Sequence, residues 1–392
     1  MTNSDSAALE QTLSSFLGYR EYALDTYWRP RFKRWQSLTE YQQQLIPWYA
    51  DYLDQVHEAV ICNAVFYEEM LSQAVIDWEI DKSPMQWSKP TITDMEKTVS
   101  IFSQLVREWS QECNHERLVL LKRLESFFNS TYPKSIRSNV NVLVPGAGLG
   151  RLVVDIVKLG FNTEGNELSY HMLLISRYLL NGGLQKNQLT IYPFIHIFGN
   201  HLNRESQLTG VNIPDVSVAD ELGGNNLMSM SAGSFVDIYG PNIHIKQSGY
   251  YSNTPEMRLQ RGTNSKSKDV VITCFFIDTA NNILDYIETI HNVLKPGGYW
   301  INFGPLLYHF ENDVHEEQTC EFDSLTGAIS NVRLEPVKGL ELSLEDILLV
   351  STTKFGFIII DQEIRIESGY GKANSRSTSD SKYQCNYWIM RK

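Results

Sequence analysis

Cysteine is scarce in this 392-residue chain. The five present, Cys62, Cys113, Cys274, Cys320 and Cys385, lie far apart and form no Cys-x-x-Cys pair. An odd, scattered set suits neither a disulfide framework nor a zinc site, and it points to a reducing compartment. Positive charge is short as well: Lys and Arg number 34 against 46 Asp and Glu, a formal net charge of −12. With no basic stripe to neutralise phosphates, nucleic acid is not an expected partner. No apolar run reaches the roughly eighteen residues of a membrane-spanning helix. The stretch Met1–Gln11 is polar, without the apolar core of a signal peptide. The expectation is a soluble protein of the cytoplasm or nucleus, with no membrane partner.

What is plentiful is apolar and aromatic surface. Hydrophobic residues are 42% of the chain and aromatic residues 11%, enough for a sizeable core or an aromatic-lined pocket. Up to about Asn139 the pattern is helical. Leu45, Trp48, Tyr52 and Val56 recur at three- and four-residue steps, as do Ile101, Leu105 and Trp109. Residues 1–140 therefore read as a helical N-terminal region.

From Asn141 the character changes. The apolar run Val142-Leu143-Val144-Pro145 leads into Gly146-Ala147-Gly148-Leu149-Gly150. A helical pattern through Leu152, Val153, Ile156 and Val157 comes next, then a short segment ending at Glu167. Strand, glycine turn, helix and strand open a parallel α/β sheet. Further on, Val270–Ile277 is apolar enough for a strand buried on both faces. A helix with Ile283, Ile287, Ile290 and Leu294 stops at Lys295-Pro296-Gly297-Gly298, and Tyr299–Phe303 makes another strand. Phe357–Ile366 and Tyr387–Met390 close the pattern, with a polar loop from Gly369 to Lys382 between them. Residues 141–392 thus read as a doubly wound, Rossmann-like α/β domain. Within it, residues 240–268 are rich in Asn, Ser, Gly and Lys and lack hydrophobic periodicity. That stretch is expected to be an inserted loop, removable without loss of fold.

The glycine turn narrows the chemistry. A dinucleotide fingerprint requires a third glycine at position 151, where this chain has Arg151; no Gly-Lys-Ser/Thr follows either. Gly-x-Gly-x-Gly, a carboxylate about twenty residues on at Glu167, and the Lys-Pro-Gly-Gly turn before a strand resemble the Class I methyltransferases. Glu167 is placed to accept hydrogen bonds from ribose hydroxyls, although a solvated surface Glu has the same spacing.

A closer resemblance lies in Leu143–Leu152, Gly165-Asn-Glu167, Thr273–Ala280 and the run Asn302-Phe-Gly-Pro-Leu-Leu-Tyr-His-Phe-Glu-Asn312. These residues resemble the carnosine N-methyltransferase family from about Asp94 onward. The resemblance implies a seven-stranded methyltransferase sheet and S-adenosyl-L-methionine as methyl donor, leaving S-adenosyl-L-homocysteine, with no metal. It implies transfer to the imidazole Nπ of a histidine-containing dipeptide, carnosine becoming anserine; histidine in a protein is the alternative acceptor. Cofactor contacts are implied for Gln104 and Arg107 from the helical region, for Gly146, Gly148 and Glu167, and for Ser234 and Phe235. At Ser234 the family pattern has an acid, so this chain departs from it.

Methyl transfer to an imidazole needs a neutral ring with its Nπ lone pair aimed at the methyl group. An acceptor on the far Nτ–H selects that tautomer and stabilises the imidazolium as it forms. Asp278, at the end of the strand Val270–Ile277, is the first candidate for that acceptor, its rival role being a helix N-cap. His309 is the second catalytic and substrate-binding candidate. Tyr383 resembles a substrate-contacting tyrosine and could equally pack. Phe275 and Tyr308 are expected to wall the substrate ring. The oligomeric state stays open, a homodimer included.

Overall fold

A computed structural model describes residues 3–242, 246–247, 254–322, 328–336, 338–370 and 382–392. The chain divides into two compact units. One comprises Met1–Leu118, Ser169–Gly223 and Gly369–Ser381; the other comprises Val119–Leu168, Gly224–Ser368 and Lys382–Lys392. The sequence had suggested one boundary near residue 140. The division is interleaved because the helix Tyr170–Asn181 and a short hairpin, which come after the glycine turn in sequence, pack with the N-terminal helices.

The first unit is helical, as the periodicity predicts. Its longest helix, Tyr49–Asp77, buries Leu53, Val56, Val60, Ala64, Tyr67, Leu71 and Ala74, a stripe at three- and four-residue spacing. It is long and apolar enough to cross a membrane by length and composition, and half of its most apolar window is buried within the protein. The stripe expected to begin at Leu45 does not do so. A helix ends at Leu45 and the next starts at Tyr49, with Pro47 between them, and Leu45 and Trp48 are exposed. The helix Ile92–Trp109 starts with a capping box between Thr91 and Asp94 and buries Ile101, Leu105 and Trp109.

The second unit contains the sheet. Strands β1 (Asn141–Pro145) and β2 (Asn162–Glu167) precede β3 (Leu189–Ile191) and β4 (Val211–Ile213), the hairpin of the first unit. Next come β5 (Met228–Ala232), β6 (Lys246–Gln247), β7 (Lys268–Cys274), β8 (Leu294–Gly304), β9 (Glu316–Phe322), β10 (Ile329–Pro336), β11 (Ile358–Ser368) and β12 (Tyr383–Arg391). Seven of these form one sheet in the order β11-β12-β8-β7-β1-β2-β5. Only β12 runs antiparallel to its neighbours in that sheet. β1 pairs with β2 on one side and β7 on the other, so the chain reverses its direction of winding at β1. In open α/β sheets the crevice at such a reversal, beyond the carboxyl ends of the strands, receives ligands. Here those ends are Pro145, Glu167 and Cys274.

The stretch expected to be one long loop is partly structured. Thr254 caps a ten-residue helix, Pro255–Asn264, and Arg261 on that helix is 1% exposed. The Arg261 guanidinium donates to Asn242 Oδ1 (3.0 Å) and to the carbonyl of Asp237 (3.3 Å), and Asn264 donates to the carbonyl of Ile238 (3.0 Å). The helix therefore docks on the short helix Phe235–Tyr239 through polar groups. A search for hydrophobic periodicity does not see such contacts, and residues 254–268 are not a removable loop. Residues 243–245 and 248–253 lie outside the described residues, as do 371–381 of the loop expected before β12.

Candidate active site

The site is built first from backbone. Gly146, Gly148 and Gly150 all adopt left-handed φ, at +63°, +57° and +85°. Gly146 has a packing reason beyond conformation: a Cβ there would lie 2.3 Å from Cδ2 of the Phe276 ring. Gly150 is the N-cap of the helix Arg151–Lys158, and Arg151, in place of a third dinucleotide glycine, pairs with Asp155 at 3.1 Å. The Gly148 N–H donates to Glu167 Oε2 (2.9 Å), which ties the turn to the end of β2, and the Leu168 N–H donates to Glu167 Oε1 (2.8 Å). Glu167 is half-buried at the end of β2.

Ser234 caps the helix Phe235–Tyr239, its hydroxyl oxygen accepting from the Asp237 N–H (3.3 Å). Its one proton stays available to donate, which is less than the charged acceptor of the family pattern offers. The Phe235 ring is buried and lies edge-on to Phe276 (5.5 Å) and Tyr286 (5.5 Å). It supports the crevice from beneath. Phe276 and Tyr286 stack at 4.7 Å, so the three rings form a block under the glycine turn. Burial pushes the Tyr286 phenol up to about 12, and the charges of Glu167, Asp285 and Asp278 add to the effect. The carboxylates of Glu167 and Asp278 thus act on one phenol.

At the end of β7 the chain turns sharply. Phe275 has φ +51°, uncommon for a bulky residue, while its N–H stays bonded to the Phe303 carbonyl of β8 (2.8 Å). The Phe275 ring lies edge-on to Tyr383 (5.9 Å). Asp278 follows in a single 3-10 turn, Ile277–Thr279, and is 4% exposed. It does not cap the next helix; Asn282 does that for Ile283–Val293. Its carboxylate Oδ2 accepts from the Leu307 N–H (3.0 Å), and its carbonyl accepts from the His309 N–H (3.0 Å). Burial raises the Asp278 carboxyl above its ordinary range, opposed by the Leu307 bond and by the nearby His309. His309 itself is exposed.

Tyr308 departs from expectation. Its hydroxyl donates to the Leu342 carbonyl (2.6 Å) and accepts from the Leu342 N–H (3.1 Å), and its ring packs against the core cluster. It anchors the loop to Leu342. Gln104 and Arg107 belong to the first unit, where both meet Tyr370. The Gln104 amide lies 3.4 Å from the Tyr370 hydroxyl, and the Arg107 guanidinium lies 3.9 Å over its ring.

Comparison with known proteins gives this arrangement its family. The family model described as carnosine N-methyltransferase matches residues 84–392. The chain is 35% identical over 390 residues to the carnosine N-methyltransferase of Schizosaccharomyces pombe, covering 98% of this chain and 95% of that one. It is 34% identical to that of Mus musculus, covering 92% and 80%. It is 29% identical to carnosine N-methyltransferase unmet of Drosophila melanogaster, covering 98% and 79%.

The chain belongs to the carnosine N-methyltransferase family.

It is a methyltransferase, and its seven-stranded sheet is the expected doubly wound fold. The residues present fit an adenosine-bearing methyl donor. A carboxylate bonded to the backbone stands beside a turn whose left-handed glycines keep side chains away from the backbone. What sequence reasoning missed is the support beneath the candidates: Phe276 under Gly146, Tyr286 within the field of both carboxylates, and the Leu307 N–H on Asp278. Only the Phe-Phe pair at the end of β7 hinted at the first. A backbone donor leaves no mark in residue type.

Proposed function

We propose that this methyltransferase moves the methyl group of S-adenosyl-L-methionine to the Nπ atom of the imidazole in a histidine-containing dipeptide, converting carnosine to anserine. The observation that carries this reading is Asp278: a buried carboxylate beyond the carboxyl end of β7 that accepts the Leu307 N–H. The names of the relatives support the choice of acceptor.

The sulfonium donor, when bound, supplies an electrophilic methyl carbon. Glu167 is assigned to the ribose hydroxyls, with Gly146 and Gly148 giving the backbone close approach. Gln104 and Arg107 are kept as the cofactor contacts the family resemblance implies. Asp278 accepts the Nτ–H of the dipeptide ring, which leaves Nπ unprotonated and bearing the lone pair. As positive charge develops on the ring, the fixed carboxylate stabilises it without reorganising. The Leu307 N–H favours the ionised form of Asp278 that this role requires, against the effect of burial. His309, exposed beside it, is assigned to orienting the dipeptide. Phe275 and Tyr383 offer two edge-on rings as an apolar wall.

The test is direct. Pure protein is incubated with methyl-labelled S-adenosylmethionine and carnosine, and the product is resolved by position. Label on Nπ of the dipeptide is expected; label absent from the dipeptide, or appearing only in polypeptide from an added extract, overturns the proposal.

A further inference from the structure

Tyr308 sits between His309 and Leu307, and its hydroxyl makes two hydrogen bonds to a single residue, Leu342. One bond uses the hydroxyl proton and the other a lone pair, so the phenol is fixed in both position and rotation. Leu342 itself is held. Leading up to it, the Gly339 N–H donates to the Asn281 carbonyl (3.1 Å), and Leu340 bridges Asn282 in parallel fashion. Gly339 has φ +87°, and a Cβ there would lie 3.1 Å from the Phe310 carbonyl. The segment 338–342 is thus strapped to the chain that follows Asp278, and it lies against the chain that follows His309, with Lys338 over the Phe310 ring (5.2 Å).

We infer that Tyr308 is a positioning residue for methyl transfer: its two-way bond to Leu342 fixes the loop that brings the Leu307 N–H and the His309 backbone onto Asp278. The inference rests on the function proposed above. Leu307 and His309 flank Tyr308 in sequence, and both reach Asp278 through backbone N–H groups at 3.0 Å. Backbone donors can be aimed only by fixing the backbone. The Tyr308 hydroxyl reaches out to the strap at Leu342, and its ring is packed against the core cluster. Removing the hydroxyl keeps the packing and releases the aim. Asp278 would then hold the ring less firmly, and the wrong nitrogen would reach the methyl group more often.

Tyr308→Phe is compared with the wild type in three ways. Hydrogen exchange of the peptide covering residues 305–313 is expected to speed up by tenfold or more, with the glycine-turn peptide unchanged. With carnosine, kcat is expected to fall about tenfold, with a smaller rise in KM and unchanged affinity for S-adenosylhomocysteine. The Nτ-methyl product, absent in the wild type, is expected to appear. A role limited to stability would scale all rates with the folded fraction and leave the Nπ to Nτ ratio alone. An active wild type with a Tyr308→Phe variant of unchanged kinetics and product ratio overturns this inference while sparing the function. A wild type inactive on every imidazole dipeptide overturns the proposed function and this inference with it, whatever the exchange data show.

Discussion

The two sides of the crevice are made in different ways. The cofactor side, at the ends of β1 and β2, is mostly backbone: three left-handed glycines, a helix N-terminus and one carboxylate bonded to the turn. Its parts lie within about twenty residues of one another. The acceptor side, at the ends of β7 and β8, consists of side chains and loop donors drawn from Phe275 to Asp278, Leu307 to His309, Leu342 and Tyr383. The first is a local device that any adenosine-bearing donor could use. The second is assembled from distant segments and, in the proposed function, selects the acceptor. Damage to the first is expected to appear in binding, and damage to the second in rate and product.

The strongest challenge to that contrast is Gly146→Val. A branched side chain at φ +63° is strained, and its Cβ would overlap the Phe276 ring at 2.3 Å. The strain and forced repacking cost on the order of 3 kcal/mol or more. Cofactor binding is expected to vanish and the melting temperature to fall. The block of Phe276, Tyr286 and Phe235 makes binding and fold suffer together. Titration with S-adenosylhomocysteine beside a thermal melt decides it, and a variant that binds normally would remove the glycine turn from the cofactor site.

Asp278→Asn comes next. The amide keeps the size and can still accept the Leu307 N–H, yet it lacks the charge that stabilises a developing imidazolium. Turnover is expected to fall by roughly a hundredfold, about 3 kcal/mol, with S-adenosylhomocysteine affinity unchanged. Glu167→Ala is its mirror image and smaller. Loss of a charged acceptor for ribose hydroxyls is expected to weaken cofactor binding by about tenfold to a hundredfold, with kcat at saturating cofactor largely kept. Measured together, the pair tests the contrast: if Asp278→Asn weakened the cofactor and Glu167→Ala slowed saturated turnover, the division would be wrong.

The same contrast explains what could be read from the residues. The order of strands and helices, the turn and Glu167 follow local rules of propensity and spacing, so the sheet and the place of the glycine turn in it are legible in the residues. Asp278 was legible as the end of a strand, but not its setting, because the Leu307 N–H comes from 29 positions away and carries no side-chain signature. Tyr308 looked like a wall because aromatic residues near a site often are; its bond to Leu342 is a tertiary fact 34 positions distant. The helix Pro255–Asn264 was missed for a related reason. It docks through Arg261, Asn242 and Asn264, with polar contacts where a hydrophobic stripe would have announced it.

The smallest expected effect concerns stability. Burial raises the Asp278 carboxyl above its unfolded value. For such a group the folded state binds the proton more tightly. Its contribution to stability is therefore fully present below the unfolded value of about 3.9 and is lost as pH rises through the raised folded value. At neutral pH the ionised, buried carboxylate is less stable in the fold than in water, and the Leu307 bond offsets only part of that. Asn at this position has no charge to bury and keeps the Leu307 bond. The melting temperature of Asp278→Asn relative to the wild type is expected to be higher at pH 7 than at pH 4, the advantage shrinking as acid protonates the wild-type carboxyl. Glu167→Ala offers the control, since Glu167 is half-buried and bonded to two N–H groups, and its removal is not expected to produce a rise of that sign. A melting-temperature difference for Asp278→Asn that stays constant from pH 4 to pH 7 would show that the carboxylate sits in the fold without strain. The acceptor side would then share the low cost of the cofactor side, and the contrast between them would lie in chemistry alone.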